Sequence, residues 1–286
     1  MKLCTFYANE ETHVGVKTDG GIVDITSLGF PSGMNEIISG GAAMVRKIVK
    51  TIIGAPVIDE TTLRFSNITN PAKIICVGLN YVDHALETGG TAPEFPVFFS
   101  KFNDCLFPAG EPVNLPDWQS NYDYEAELVI VVGKQAYNIP ADEAYDCIYG
   151  FACGNDLSAR DSQFLSSQWI SGKNFPGFGP AGPYIVTSDE LDPDKRPLSI
   201  KCLRNGETVQ SSSTGEMIFS CRQLISWASR FFALSPGDLV FTGTPAGVIQ
   251  GKVKDERNWL KPGETVVVEI EGIGGLKTPL VAAPAV

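Results

Sequence analysis

The chain has no long hydrophobic run, no basic run, no paired cysteines and almost no histidine. No apolar stretch approaches the roughly 20 residues that a membrane span needs, so no membrane partner is expected. Lys and Arg number 22 against 33 Asp and Glu, a formal net charge of −11, and no Lys/Arg cluster interrupts that excess. Such a surface repels phosphate backbones, which excludes nucleic acid as an expected partner. The seven cysteines are odd in number, scattered, and never spaced Cys-x-x-Cys. They read as reduced, mostly buried thiols of a cytoplasmic protein rather than a disulfide framework. The start, Met1 to Tyr7, runs at once into Asn9-Glu10-Glu11, too short and too acidic for a signal peptide. The sequon Asn67-Ile68-Thr69 then has no meaning as a glycosylation site. There is no internal repeat and no low-complexity segment. Histidine occurs twice. His13 sits among Glu10, Glu11 and Thr12 beside a turn and reads as a solvated surface residue.

What is present is globular. The 286 residues are 43% hydrophobic and 19% charged, enough for one large domain or a small one plus a larger one. Residues 1–67 read as a small separate unit. Short strands are expected at 3–7, 14–17 and 22–25, with a turn at Asp19-Gly20-Gly21 and helices at 35–38 and 42–51. Asn70-Pro71 marks a boundary, and 68–286 form the second unit. Its best-defined strand, 128–132, is β-branched and ends at Gly133. Glu125 and Glu127 stand at its start, two apart and therefore on one face. Two carboxylates side by side next to a core are either an exposed strand end or a pair held by a hard cation. A second buried strand, 149–155, leads to Asp156. That residue either caps a helix over 157–164, which carries Arg160, Asp161 and Gln163, or joins the acids.

Other segments carry weaker signals. A strand at 74–77 leads into a short helix at 82–87, closed by Gly89-Gly90. His84 and Glu87 lie one turn apart there, a spacing at which a carboxylate can orient an imidazole and raise its basicity. A strand at 96–101 ends in Lys101. Residues 171–183 read as Gly/Pro-rich loop. The Gly-x-Gly-x-x-Gly at Gly177, Gly179 and Gly182 is not a dinucleotide site, because no strand enters it and Pro180 and Pro183 forbid a helix opening. Arg204-Asn205-Gly206-Glu207 signals a hairpin. The best helix is 220–232, with Leu224, Ile225, Trp227, Ala228, Phe231 and Phe232 packing inward. Residues 242–248 are small and suit close backbone approach to a ligand.

Five motifs fall in a telling order. They are Gly78-Leu79-Asn80-Tyr81…His84…Glu87, then Asp123-Tyr124-Glu125-Ala126-Glu127-Leu128, then Asn155-Asp156-Leu157-Ser158-Ala159-Arg160-Asp161-x-Gln163. Gly172-Lys173…Gly179-Pro180…Gly182-Pro183 and Pro236-Gly237-Asp238…Thr242-Gly243-Thr244-Pro245-Ala246-Gly247 come after them. Together they resemble the fumarylacetoacetate hydrolase family, from about residue 70 to the C-terminus. The resemblance implies an α+β fold: a mixed β-sheet roll as catalytic domain, a small N-terminal α+β domain, and usually a homodimer. It implies that Glu125, Glu127 and Asp156 hold one divalent metal, Mg²⁺ or Mn²⁺, with Ca²⁺ a further option. It implies a His84–Glu87 base, a catalytic Lys173, and Arg160, Gln163, Lys101 and Thr244 as substrate contacts. One departure concerns the loop Lys173-Asn174-Phe175-Pro176-Gly177-Phe178, where many members carry an Asp or Thr. That loop bears on substrate identity rather than on metal.

The chemistry agrees with that resemblance. Three carboxylates without Cys or His make an oxygen-only site, suited to Mg²⁺, Mn²⁺ or Ca²⁺ rather than Zn²⁺. A 2-oxo acid can meet such a metal through its C1 carboxylate and C2 keto oxygens, and breaking C3–C4 then yields a metal-bound enolate. If C4 is a ketone, His84 activates a water and an acylpyruvate (2,4-dioxo acid) is hydrolysed. If C4 is a carboxylate, as in oxaloacetate, CO₂ leaves. The His84–Glu87 pair favours hydrolysis. Decarboxylation, or isomerisation or hydration through the same enolate, is the alternative, and a non-catalytic 2-oxo-acid-binding protein is the alternative from another class.

Overall fold

The apolar run that anchors the sequence becomes the strand Ala126–Val132, buried along its whole length. In the computed structural model, which describes residues 1–87, 89 and 91–284, it lies near the middle of an eleven-stranded mixed sheet. On one side it pairs antiparallel with Ile148–Asn155, which pairs with Gly179–Thr187. On the other it pairs with Leu239–Phe241, which runs parallel to Ile74–Gly78, and that strand pairs with Val97–Lys101. A five-stranded sheet takes Glu207–Ser213, Ser199–Arg204, Thr265–Ile270, Gly274–Ala282 and Val113–Leu115 in that order. Between the sheets lies the main core, where Leu128, Ile130 and Phe151 meet Ile200, Val268 and Leu276. The expected α+β class with mixed sheets is what the chain forms.

Among the described residues, the core side chains of the N-terminal segment share a cluster with residues of the central sheet. Lys2–Ala8 pairs with Gly179–Thr187 (Lys2↔Val186, Cys4↔Tyr184), so Lys2–Ala8, Glu11–Thr18 and Gly21–Asp24 extend the central sheet. Leu3, Val14, Ile37 and Ile48 pack in one cluster with Val129, Val131 and Phe241. His13 is not solvated: its Nδ1 lies 2.8 Å from Asp24 Oδ2 and its side chain is only 18% exposed.

Local chemistry explains several elements. Asn205 (φ +52°) and Gly206 (φ +87°) make the forecast hairpin turn between Ser199–Arg204 and Glu207–Ser213. The helix Cys221–Phe231 opens with a capping box of Ser220 and Gln223. Leu224, Ile225 and Ala228 are buried and Trp227 is half-buried, but Phe231 is 63% and Phe232 37% exposed. Residues 171–183 are not simply loop. Ile170–Lys173 forms a helical turn, and Gly179–Thr187 is a fully buried strand. Pro180 is tolerated there opposite Phe107, and Pro183 falls where the register with Ile148–Asn155 shifts. Gly89 (φ +77°) follows the helix Val82–Glu87, whereas Gly90 lies outside the described residues. No helix among the described residues is long and apolar enough to cross a membrane.

Candidate active site

Strand pairing assembles the acids. Ala126 pairs with Asn155 and Glu127 with Gly154, so the residues flanking these positions meet. Asp156 N–H donates to the Glu125 carbonyl at 2.9 Å. Gly154 is required here, since a Cβ would lie 2.4 Å from Val129 and 2.7 Å from Phe241. Carboxylate oxygens of Glu125, Glu127 and Asp156 lie within 4.8 Å of one another, and all three residues are buried. Asp156 does not cap a helix. The chain instead pairs Ser158–Ala159 with Tyr122–Asp123, and only Arg160–Gln163 is helical, behind Ala159.

Cations surround this cluster unevenly. Lys173 Nζ donates to Glu125 Oε2 and Asp156 Oδ2, each at 2.7 Å. Lys101 Nζ forms an ion pair with Asp156 Oδ1 at 2.6 Å, and donates to the Lys173 carbonyl. Arg160 Nη2 donates to Glu125 Oε1 at 2.6 Å, its Nε to Asp123 Oδ2 at 3.0 Å, and its Nη1 to Gln163 Oε1 at 2.8 Å. Glu127 receives the Gly243 N–H at 2.8 Å and has no ion pair among the described residues. Burial, reinforced by Asp156 and Glu125, pushes its carboxyl well above the usual range. For Glu125 burial acts in the same direction, but Lys173 and Arg160 outweigh it and hold the carboxyl below its ordinary value. The Lys173 ammonium is held above its ordinary value, because Asp156 and Glu125 overcome the opposing effect of its burial. Three buried oxygen donors, one of them without a counter-charge, fit a hard divalent cation.

His84 faces the same space. It is 7% exposed on the helix Val82–Glu87, with Nδ1 3.4 Å from Glu87 Oε2. Glu87 is itself held by the Gly247 N–H, at 3.1 and 3.2 Å to its two oxygens. The small-residue loop thus approaches an acidic side chain through its backbone.

A cavity of about 470 Å³ joins these groups. His84, Glu87, Glu125, Glu127, Arg160, Gln163, Lys173 and Thr244, all named from the sequence as candidates, line it. Asp156 and Lys101 do not. Lys101, expected among the substrate contacts, is spent on Asp156 and on backbone carbonyls, so its place is to support the cluster. Val77, Leu79, Phe99, Phe164, Trp169 and Val248 supply apolar wall.

Sequence reasoning missed four residues. Asp123, inside the motif that revealed the two glutamates, takes Arg160 and the N–H groups of Ile249 (2.8 Å) and Gln250 (2.9 Å). Gln210 accepts from Ala126 N–H and donates to Thr244 Oγ1 at 2.9 Å. No local pattern marks it. Gln250 and Arg257 also line the cavity.

Comparison with known proteins agrees with this geometry. The family described as fumarylacetoacetate (FAA) hydrolase C-terminal matches residues 73–281. Oxaloacetate tautomerase fahd2, mitochondrial, of Xenopus laevis is 37% identical over 295 residues, covering 98% of this chain and 90% of that relative. Among solved structures, fumarylacetoacetate hydrolase from psychrophilic Exiguobacterium antarcticum superposes with a TM-score of 0.87 at 31% identity, covering 99% of this chain and 100% of that one. Maleylpyruvate hydrolase from Sphingobium sp. SYK-6, in complex with manganese (II) ion and pyruvate, gives a TM-score of 0.83 at 26% identity with the same coverage.

Proposed function

This chain belongs to the fumarylacetoacetate hydrolase family, and from that premise we propose that it moves a proton at C3 of a 2-oxo acid, interconverting keto and enol forms. One observation carries the reading: buried His84 and half-buried Glu87 line the same cavity as Glu125 and Glu127 of the three-carboxylate cluster. Glu125, Glu127 and Asp156 would hold one divalent cation, Mg²⁺ or Mn²⁺, with Ca²⁺ as third choice. Such an ion, when bound, supplies Lewis-acid polarisation of the substrate carbonyl. Glu87 at Nδ1 orients the imidazole, and His84 would carry the proton from C3 to the C2 oxygen to give the enol, and back for the reverse reaction. Lys173 and Arg160 offset the carboxylates and orient the C1 carboxylate. Gln163 and Thr244 add polar contacts, and the apolar wall excludes water. The name of the Xenopus relative supports oxaloacetate as the substrate.

Hydrolysis of an acylpyruvate is the second reading. The maleylpyruvate hydrolase with manganese and pyruvate favours it. There His84 would deprotonate a water that attacks the C4 carbonyl. Oxaloacetate decarboxylation needs no such base. A homodimer is the assembly we propose, and the seven free, buried cysteines support a reducing compartment such as the cytoplasm.

The test mixes the protein and Mg²⁺ with oxaloacetate or acetylpyruvate and follows enol absorbance and pyruvate release together. Accelerated enol decay without pyruvate is the expected result. Pyruvate from acetylpyruvate would establish the hydrolase instead, and pyruvate from oxaloacetate the decarboxylase. Binding of both without any turnover would leave a 2-oxo-acid-binding protein.

A further inference from the structure

The cavity holds a cation that the acid cluster does not use. Lys173 and Arg160 both serve the acid cluster, the first pairing with Glu125 and Asp156, the second with Asp123, Glu125 and Gln163. Arg257 also lines the cavity, half-buried, and among the described residues it has no carboxylate partner. Its Nε donates to the Lys252 carbonyl at 2.9 Å, and the guanidinium lies 5.9 Å from the centre of the Trp259 ring. These contacts orient the side chain and leave both terminal nitrogens without a protein acceptor among the described residues. A planar guanidinium in that state is a ready bidentate partner for a carboxylate.

Its position is built rather than incidental. The segment 249–260 is pinned at both ends to the strand Tyr122–Asp123. Ile249 and Gln250 donate their N–H groups to Asp123, and Leu260 N–H donates to the Tyr122 carbonyl at 2.9 Å. Ile249 and Leu260 are buried anchors, while Val253 between them is exposed. The same Asp123 carboxylate holds Arg160. One side chain therefore ties the segment that carries Arg257 to the acid cluster.

We propose that Arg257 reads the distal carboxylate of a dicarboxylic 2-oxo acid, so that the site prefers substrates with an anionic far end over those ending in an alkyl group. The inference rests on reading the cavity as a 2-oxo-acid site and adds the substrate class. Besides Arg160 and Lys173, which face the acid cluster and the near end of a bound 2-oxo acid, Arg257 is the one arginine or lysine among the described residues lining this cavity that could meet a second negative charge.

The experiment compares the parent, Arg257→Met and Arg257→Lys on oxaloacetate and on acetylpyruvate, whose far end is a neutral acetyl group, by enol decay with Mg²⁺. Arg257→Met should raise KM for oxaloacetate roughly ten- to a hundredfold, the usual effect of losing a charged hydrogen bond, with kcat largely kept. Acetylpyruvate should be unaffected, and Arg257→Lys should retain part of the preference. Equal effects on both substrates, or none on either, would overturn the proposal while leaving the reaction intact. A second readout is independent of turnover: calorimetric binding of 2-oxoglutarate and 2-oxopentanoate, equal in length and differing only in the far carboxylate. The parent should favour 2-oxoglutarate and Arg257→Met should not. If the parent turned over neither test substrate, the proton-transfer reading would fail, and this binding ratio would still decide the role of Arg257. Equal binding of the two acids by the parent would overturn it.

Discussion

Glu127 is the buried carboxylate without a cationic partner among the described residues, and its acid form is favoured by burial and by its acidic neighbours. A bound divalent cation would relieve that. Glu127→Ala should weaken Mn²⁺ binding by at least the roughly 10- to 100-fold that even outer supporting residues cost a metal site. Titration calorimetry reads this directly, and parent-like affinity would remove Glu127 from the ligand set. Gly251 acts on the other half of the site. A Cβ there would lie 2.2 Å from Glu87 Cδ, so the Glu87 side chain must move. Because a flexible side chain yields rather than backbone, Gly251→Ala should leave the fold intact. It should lower kcat by detaching Glu87 from His84 and Gly247. Circular dichroism with steady-state kinetics checks both halves, and unchanged kcat would show that the His84–Glu87 contact is dispensable.

At the scale of elements, Asp123 holds three segments together. It accepts from Arg160, from Ile249 and Gln250, and from its neighbour Tyr124. Asp123→Asn keeps the shape but leaves Arg160 short of one buried counter-charge. Breaking a buried pair typically costs about 3–5 kcal/mol. Urea unfolding should show a loss approaching that size, with weaker substrate binding as the segment 249–260 loosens. A loss within the scatter of surface substitutions would mean the segment is held by packing alone. Asp123 also shows where sequence reasoning ends. The Glu125/Glu127 spacing is legible because a strand puts i and i+2 on one face, and His84/Glu87 because a helix puts i and i+3 together. The bonds from Asp123 to Ile249 and from Gln210 to Ala126 join positions 126 and 84 residues apart, and no local period announces them. The helix expected over 157–164 failed for a similar reason. Pairing of Ser158–Ala159 with Tyr122–Asp123 overrides the local preference.

Across the whole molecule, strands such as Ala126–Val132 were readable from their β-branched apolar runs, and the hairpin between Ser199–Arg204 and Glu207–Ser213 from its Asn-Gly turn. The joining of residues 1–67 to the central sheet was not. It depends on the edge of Gly179–Thr187 meeting Lys2–Ala8, and the glycines and prolines of residues 179–183 disguised that strand as loop. The same sheet sets Asp156 beside Glu125 and Glu127 and opens one cavity to His84, so fold and proposed reaction stand together. The reaction's central step is proton transfer at C3, and it can be watched whatever the later fate of the enol. With Mg²⁺ and oxaloacetate in D₂O, NMR should show the parent speeding exchange of the C3 protons for deuterium. His84→Ala should cut the enzymatic part of that rate by roughly a hundred- to ten-thousand-fold, the usual range for losing a general base. Exchange no faster than without protein, or untouched by His84→Ala, would contradict the account.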